Sequence, residues 1–232
     1  MAETKEKVWP HPIEAIIFDN DGLLLDTEGI YVLVLEQMMG RKLEWDLRRK
    51  LIGRTGPDAC SILVKEMGID EDPIHFLNRR DENLKKIFPT AKFFDYAVEI
   101  VKEAKINRKI PIAVATSSNR ANYEVKISNK HDFYDLFDSV ICGDEVENGK
   151  PNPELFLKSM EKLGVKNPQN VLVFEDAPTG VKGANNAGMP VVQVPDPELP
   201  ADANQEAGAQ PTLVLKSLRE FDFDKFDWAP RA

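Results

Sequence analysis

The chain has 232 residues, of which 42% are hydrophobic and 30% charged, and its net charge is −9 at pH 7. That is enough apolar material for one large globular core or two small ones, and too acidic for general attraction to nucleic acid or an anionic membrane surface. No apolar run approaches the roughly 20 residues that cross a bilayer, "MAETKEKVWPHP" has no signal-like apolar core, and the two cysteines, Cys60 and Cys142, make neither a disulfide framework nor a CxxC pair. The expected setting is a reducing cytoplasm.

In chain order, "IEAIIF" (13–18) is a short β-branched run that ends abruptly in the polar "DNDG". Such a run bounded by turn residues predicts a buried strand. From Glu28 to Phe93 the texture changes. "IYVLVLEQMM", "WDLRRKLIG", "PDACSILVKEMG" and "PIHFLNRRDENLKKIF" space their apolar residues as successive amphipathic helices, although "IYVLVL" alone fits a strand equally well. "DYAVEIVKEAKINR" is again helical. The strand texture then returns in "IPIAVAT", "DSVICGD", "NVLVFED", "MPVVQVP" and "PTLVL", and "PELFLKSMEKLG" between two of these predicts a helix stopped by its glycine. "PDPELPADANQEAGAQP" reads as a surface loop.

Strands alternating with helices predict an α/β fold, a Rossmann-like doubly wound parallel sheet covered on both faces. The helical stretch predicts a small second domain at 29–93, inserted between core segments 12–28 and 94–232.

The strand ends carry the chemistry. In extended backbone, residues two apart point the same way, so Asp19 and Asp21 share a direction and Asn20 turns from them. Gly22 permits a sharp turn beside whatever the aspartates hold. Ligands of open parallel sheets sit beyond the carboxyl ends of the strands, and there the sequence also delivers Thr116 and Ser117, Asp144, and Glu175 with Asp176. Like charges this close repel unless a cation lies between them. An all-oxygen donor set favours a hard ion, and magnesium together with a phosphate is the common pairing. The three histidines, His11, His75 and His131, are scattered and suggest no zinc site. In "NGKPNPE", Lys150 precedes a stiff Pro-x-Pro turn that starts a helix, where an ammonium could neutralise a phosphate. The segment is not a P-loop, because the glycine spacing is wrong and Pro151 stands where Ser or Thr should follow the lysine; "GVKGANNAG" lacks the GxG start of a dinucleotide site.

Taken in order, "FDNDG", "AVATSS", "GKPNPE" and "VLVFEDAPTG" resemble the four motifs of the haloacid dehalogenase superfamily of phosphohydrolases, over nearly the whole chain. The helical insert is similar to that family's small α-helical cap. The resemblance implies a magnesium-dependent phosphomonoesterase for a small phosphorylated metabolite, a nucleotide or a sugar phosphate. Asp19 would be the nucleophile that forms an aspartyl-phosphate, and Asp21 the acid/base. Thr116 would hydrogen-bond the phosphoryl oxygens, assisted by the backbone around Ser117 and Ser118, and Lys150 would steady the charge. Asp19, the Asp21 carbonyl and Asp176 would ligate Mg2+, with Glu175 a ligand or a partner of one. "FDNDGLLLDTE", "FPT", "ATSS", "FEDAP" and "VPD" are most similar to the pseudouridine-5'-phosphatase branch, and sugar- and glycerol-phosphate phosphatases share much of this. Asn20 departs from the apolar residue usual between the aspartates and Asn152 from the commoner residues of "GKPxPE"; both are expected to be tolerated.

Asp21 must carry a proton in the first half-reaction, so its pKa is expected to rise when phosphate occupies the site. The cap loop "LIGRTGPDA" would present Arg54 to the leaving group, with Gly53 and Gly56 giving backbone freedom and hinges near Thr27–Glu28 and Thr90–Phe94. The partner expected is a small phosphate monoester, with no nucleic-acid polymer or membrane; the sequence leaves the oligomeric state open, a monomer being compatible with a capped enzyme this small. The rival readings are a sugar phosphomutase on the same core, a sugar- or glycerol-phosphate phosphatase, and a non-catalytic binding module. A phosphonatase would need a cap lysine (Lys42, Lys50 or Lys65) facing the site, and a dehalogenase would lack Asp21.

Overall fold

The computed structural model describes residues 6–51 and 54–230. The first β-branched run forms β1 (Ala15–Phe18), all four residues buried. A two-residue strand β2 (Leu25–Asp26) follows, then helices α1 (Glu28–Met39), α2 (Trp45–Arg48), α3 (Gly56–Met67) and α4 (Pro73–Ile87), and a second short strand β3 (Lys92–Phe93). The remainder alternates: α5 (Ala97–Lys102), β4 (Ile112–Ala115), α6 (Arg120–Ile127), α7 (His131–Tyr134), β5 (Ser139–Ile141), α8 (Glu154–Lys162), β6 (Val171–Glu175), α9 (Pro178–Asn186), β7 (Val191–Gln193), α10 (Ala203–Ala207) and β8 (Leu213–Val214).

The six longer-range strands make one sheet in the order β5-β4-β1-β6-β7-β8, every pair parallel. The chain builds outward from β1 on one side, then crosses back and builds outward on the other. This is the Rossmann-like doubly wound order, and its switch point lies beside β1, where such sheets bind their ligands. Period-2 alternation explains the two cores. Ile16, Phe18, Val114 and Phe174 face a cluster completed by α5, α6 and the C-terminal aromatics Phe221, Phe223 and Phe226. Ala15, Ile17, Ala113 and Val173 face the opposite side, packed against Leu155 and Phe156 of α8 and Val181 and Ala184 of α9.

Helices α1–α4 gather apolar clusters of their own, one around Leu35, Cys60, Leu63 and Phe76 and one around Val34, Leu84 and Phe88. The two ends of this insert run side by side, because β2 and β3 pair antiparallel, Leu25 with Phe93 and Asp26 with Lys92.

Two local expectations differ from what forms, and a third concerns a residue outside those described. "WDLRRKLIG" is helical only over α2; beyond it Lys50 and Leu51 bond three residues back, to Leu47 and Arg48, and the turn tightens. Gly53, expected to loosen the following loop, lies outside the described residues. The presumed surface loop before β8 contains α10, stopped by Gly208 at φ 62°, and it is anchored by Asn204 Nδ2 donating to Gln193 Oε1 at 2.6 Å. Among the described residues no helix is long and apolar enough to cross a membrane.

Candidate active site

Register dictates the centre. Phe18 is level with both Val114 and Phe174, so the next residues, Asp19, Ala115 and Glu175, emerge together at the carboxyl ends of three adjacent strands. Lys150, fixed by the turn before α8, places its Nζ across all three: it donates to Asp19 Oδ1 (2.5 Å), Glu175 Oε1 (2.6 Å) and the Ala115 carbonyl (3.1 Å). Its side chain is 2% exposed. Burial works against that ammonium, but Asp19 and Glu175 more than reverse the effect and hold it charged. Asp19 itself is pushed up to about 8, first by burial, with Lys150 opposing and Glu175 and Asp21 adding.

Asp176 follows immediately. Its carboxyl is pushed well above the ordinary range by burial and then by Glu175, Asp19 and Glu28. Gly22, at φ +87°, is required here, because a Cβ on it would collide with the Asp176 carboxylate. Asp19, Glu175 and Asp176 are all buried and can each bring an oxygen within 4.8 Å of the others. Three carboxyls against one lysine leave a deficit of positive charge, and three oxygen donors without nitrogen or sulfur suit a hard divalent cation such as magnesium. The oxygens of Glu175 have other partners, Lys150 on Oε1 and the Asp176 and Ala177 N–H groups on Oε2 (3.1 and 3.3 Å).

Asp21 occupies a different environment. Oδ1 accepts from Thr27 Oγ1 (2.6 Å) and Lys126 Nζ (2.5 Å), and Oδ2 from Thr116 Oγ1 (3.0 Å) and Ser118 Oγ (3.1 Å). Burial raises its pKa, but Lys126 and the Thr27 and Thr116 hydroxyls outweigh burial and hold the carboxyl below its ordinary value. In the free site Asp19 is thus pushed up and Asp21 down, the reverse of the order that a nucleophile and its acid need. Asn20 does turn away: its Oδ1 accepts from Tyr134 OH at 2.6 Å, inside the first core. Asn152 caps the turn, accepting from Glu154 N–H at 3.0 Å.

Above these residues lies a cavity of about 650 Å³. Its floor includes Asp19, Asp21, Ser117, Ser118, Lys150 and Asp176. Its roof comes from the insert and is largely apolar, with Val32, Leu35, Leu51, Leu63 and Leu77. Thr116 is fully buried behind Asp21. Arg54 lines the mouth but is exposed, its Nε donating to the Lys50 carbonyl at 2.7 Å. Asp144 reaches the cavity wall without joining the carboxyl cluster, and accepts instead from Arg120 N–H at 2.9 Å. Among the described residues no lysine of the insert lines the cavity, and Lys50 pairs with Glu66 at the surface.

Sequence reasoning missed three groups. Arg80, 5% exposed, lines the roof and donates to Asp81. Glu28 stands in the wall with its carboxyl pushed up to about 7, by burial and then by Asp21. Lys126 is wholly buried beneath Asp21. The signal for Lys126 is its spacing: in "ANYEVKI" it falls three residues after the core residue Tyr123 and beside Ile127, on the buried face of α6.

Comparison with known proteins identifies the family and the fold. Residues 16–194 match the family model described as haloacid dehalogenase-like hydrolase. The chain is 38% identical over 227 residues to "(DL)-glycerol-3-phosphatase 2" of Arabidopsis thaliana, covering 94% of this chain and 92% of that protein. It is 33% identical over 217 residues to "Probable pseudouridine-5'-phosphatase" of Drosophila melanogaster, covering 90% and 92%. The solved structure of CbbY from Rhodobacter sphaeroides in complex with xylulose-(1,5)bisphosphate superposes with a TM-score of 0.76 at 23% identity, over 93% of this chain and 99% of that one, a likeness of fold. The chain belongs to the haloacid dehalogenase-like hydrolase family and is a phosphatase enzyme of it.

Proposed function

We propose that this protein is a magnesium-dependent phosphomonoesterase that carries the phosphoryl group on Asp19. The observation that carries the reading is the Lys150 ammonium lodged between Asp19 and Glu175 at the switch point of the sheet. Lys150 fixes Oδ1 of Asp19 and leaves Oδ2 for phosphorus. The reaction needs one proton moved from Asp19 to Asp21 as the phosphate enters. Attack by the ionised Asp19 then breaks the bond to the leaving alkoxide, which takes that proton from Asp21, and water attacks the aspartyl-phosphate, giving a proton back to Asp21 and releasing inorganic phosphate and Asp19. Thr116, Ser117 and Ser118 receive the phosphoryl oxygens. Asp19, Asp176 and the Asp21 carbonyl would hold the cation, with Glu175 orienting Lys150 and the first turn of α9. Bound there, magnesium supplies positive charge to the transferring group.

Residues 29–93 act as a cap in this reading, hinged at the β2–β3 ribbon, excluding water and enclosing the leaving group. A cavity of this size is within the roughly 300–1,000 Å³ usual for small-molecule sites. The substrate is a monoester of a small metabolite in the class that the relatives' names indicate, glycerol phosphate or pseudouridine 5'-phosphate, with Arg54 at the mouth contacting its distal end.

The test is phosphate release from a panel holding p-nitrophenyl phosphate, glycerol 3-phosphate, hexose phosphates and pseudouridine 5'-monophosphate, ranked by kcat/KM with magnesium and with chelator. Cation-dependent release from at least one natural ester is expected. Release from none, or release indifferent to chelator, contradicts the proposal.

A further inference from the structure

Lys126 belongs to none of the four motifs, yet it is 0% exposed and its Nζ has three partners: Asp21 Oδ1 at 2.5 Å, Ser118 Oγ at 2.7 Å and Tyr31 OH at 2.9 Å. The ammonium lies 4.9 and 4.5 Å from the ring centroids of Tyr31 and Phe88, an aromatic enclosure that suits a buried cation. Tyr31 belongs to α1 of the insert and Lys126 to α6 of the core, so this one amine joins the insert to Asp21.

The two oxygens of Asp21 are held in different ways. Thr27 and Lys126 grip Oδ1 from behind, and neither lines the cavity. Oδ2 is held at longer distances by Thr116, itself buried, and by Ser118, which lines the cavity. When a phosphate draws the Ser118 hydroxyl to itself, Oδ2 is freed on the cavity side and Oδ1 stays fixed.

We propose that Lys126 is a positioning residue, which anchors Oδ1 of Asp21 so that Oδ2 is presented to the leaving group, and that the Tyr31 hydroxyl completes this anchor only when α1 is seated on α6. The proposal rests on the reading of Asp21 as the acid/base. It makes the aim of the acid depend on the position of the cap. A substrate that is not enclosed meets a carboxyl whose anchor is incomplete.

The leaving group supplies the test. A nitrophenolate departs without a proton, whereas an alkoxide needs one, so loss of aim must fall on alkyl esters. We would measure kcat/KM, which covers only the steps up to phosphoryl transfer, for p-nitrophenyl phosphate and for the best alkyl phosphate of the panel, at saturating magnesium. Asp21→Asn is the benchmark, expected to reduce the alkyl ester about 10³-fold and the aryl ester far less. Lys126→Met, which keeps the packing under Tyr31 and Phe88, is expected to reduce the alkyl ester about 10²-fold and the aryl ester less than about 10-fold. Tyr31→Phe, a one-atom change that decides the matter if Lys126→Met fails to fold, should shift the ratio the same way by about 3-fold. Equal losses on both esters, or an unchanged ratio in variants whose Asp21→Asn counterpart does shift it, overturn the proposal while leaving the acid/base reading intact. An unchanged ratio in Asp21→Asn overturns that reading, and this proposal with it.

Discussion

Burial makes Asp19 readier to take up a proton than an ordinary aspartate. Its carboxyl lies at about 8 in the fold against 3.8 ordinarily, chiefly through burial. Between those values the folded chain binds a proton that the unfolded chain lacks, so in metal-free protein this contribution to stability is present in full below the lower value and is lost as pH rises through about 8. Under the proposed ligand set, metal binding releases the same proton. The rise in melting temperature on adding magnesium should therefore be larger at about pH 9 than at about pH 6; an equal shift at both would contradict the ligand set. Lys150→Met removes the one cation between two buried carboxyls, and a loss of about 3–5 kcal/mol is expected in urea unfolding at about pH 9. The loss should be smaller at about pH 6, where Asp19 can stay protonated. Asp19, Asp21, Lys150, Glu175 and Asp176 are legible in the sequence because each follows a recognisable strand or, for Lys150, leads into a stiff turn. Lys126 is not, because its partner Asp21 lies 105 residues away and only the fold joins them.

Strands β1, β4 and β6 are legible for a simple reason: every residue is buried on a sheet covered on both faces, so the apolar run is uninterrupted. The β2–β3 ribbon is not, since two residues show no period. The shortened α2 and the added α10 are decided by local turn bonding and by a tertiary contact from Asn204, which propensity does not report. Helix α9 offers a test in which two effects oppose. Alanine normally gains about 1 kcal/mol over glycine inside a helix, but a Cβ at Gly180 would collide with the Glu175 carboxylate that holds Lys150. Gly180→Ala is therefore expected to lower stability by more than about 1 kcal/mol in chemical denaturation, and to reduce kcat. A stabilised variant would show that Glu175 can move without consequence.

The insert meets the core through polar contacts and through the packing of Val125 of α6 on the Val34, Leu84 and Phe88 cluster. Arg48 reaches Asp196 and Glu198 at 3.6 and 3.3 Å and Arg49 reaches Glu206 at 3.4 Å, tying α2 to the connection between β7 and β8. Asn122 of α6 donates to Asp81 of α4 at 2.8 Å. Ion pairs that reach solvent, as these do through Glu198 and Glu206, contribute about 0–1 kcal/mol each, too little to hold the two parts shut against salt. Replacing Arg48 and Arg49 by glutamine should leave the unfolding free energy within about 1 kcal/mol of wild type. It should nevertheless change KM and kcat together, as raised ionic strength should in the wild type; unaltered kinetics would mean that these pairs take no part in closure. In the proposed reading, the insert over a sheet edge that carries one lysine among three carboxyls serves a covalent bond to Asp19. Rapid acid quenching of the enzyme during turnover of a radiolabelled phosphate ester tests that bond directly. The label should be found on the peptide that contains Asp19 and should vanish in Asp19→Asn. Turnover with no label on the protein, or with label on another residue, would contradict the account.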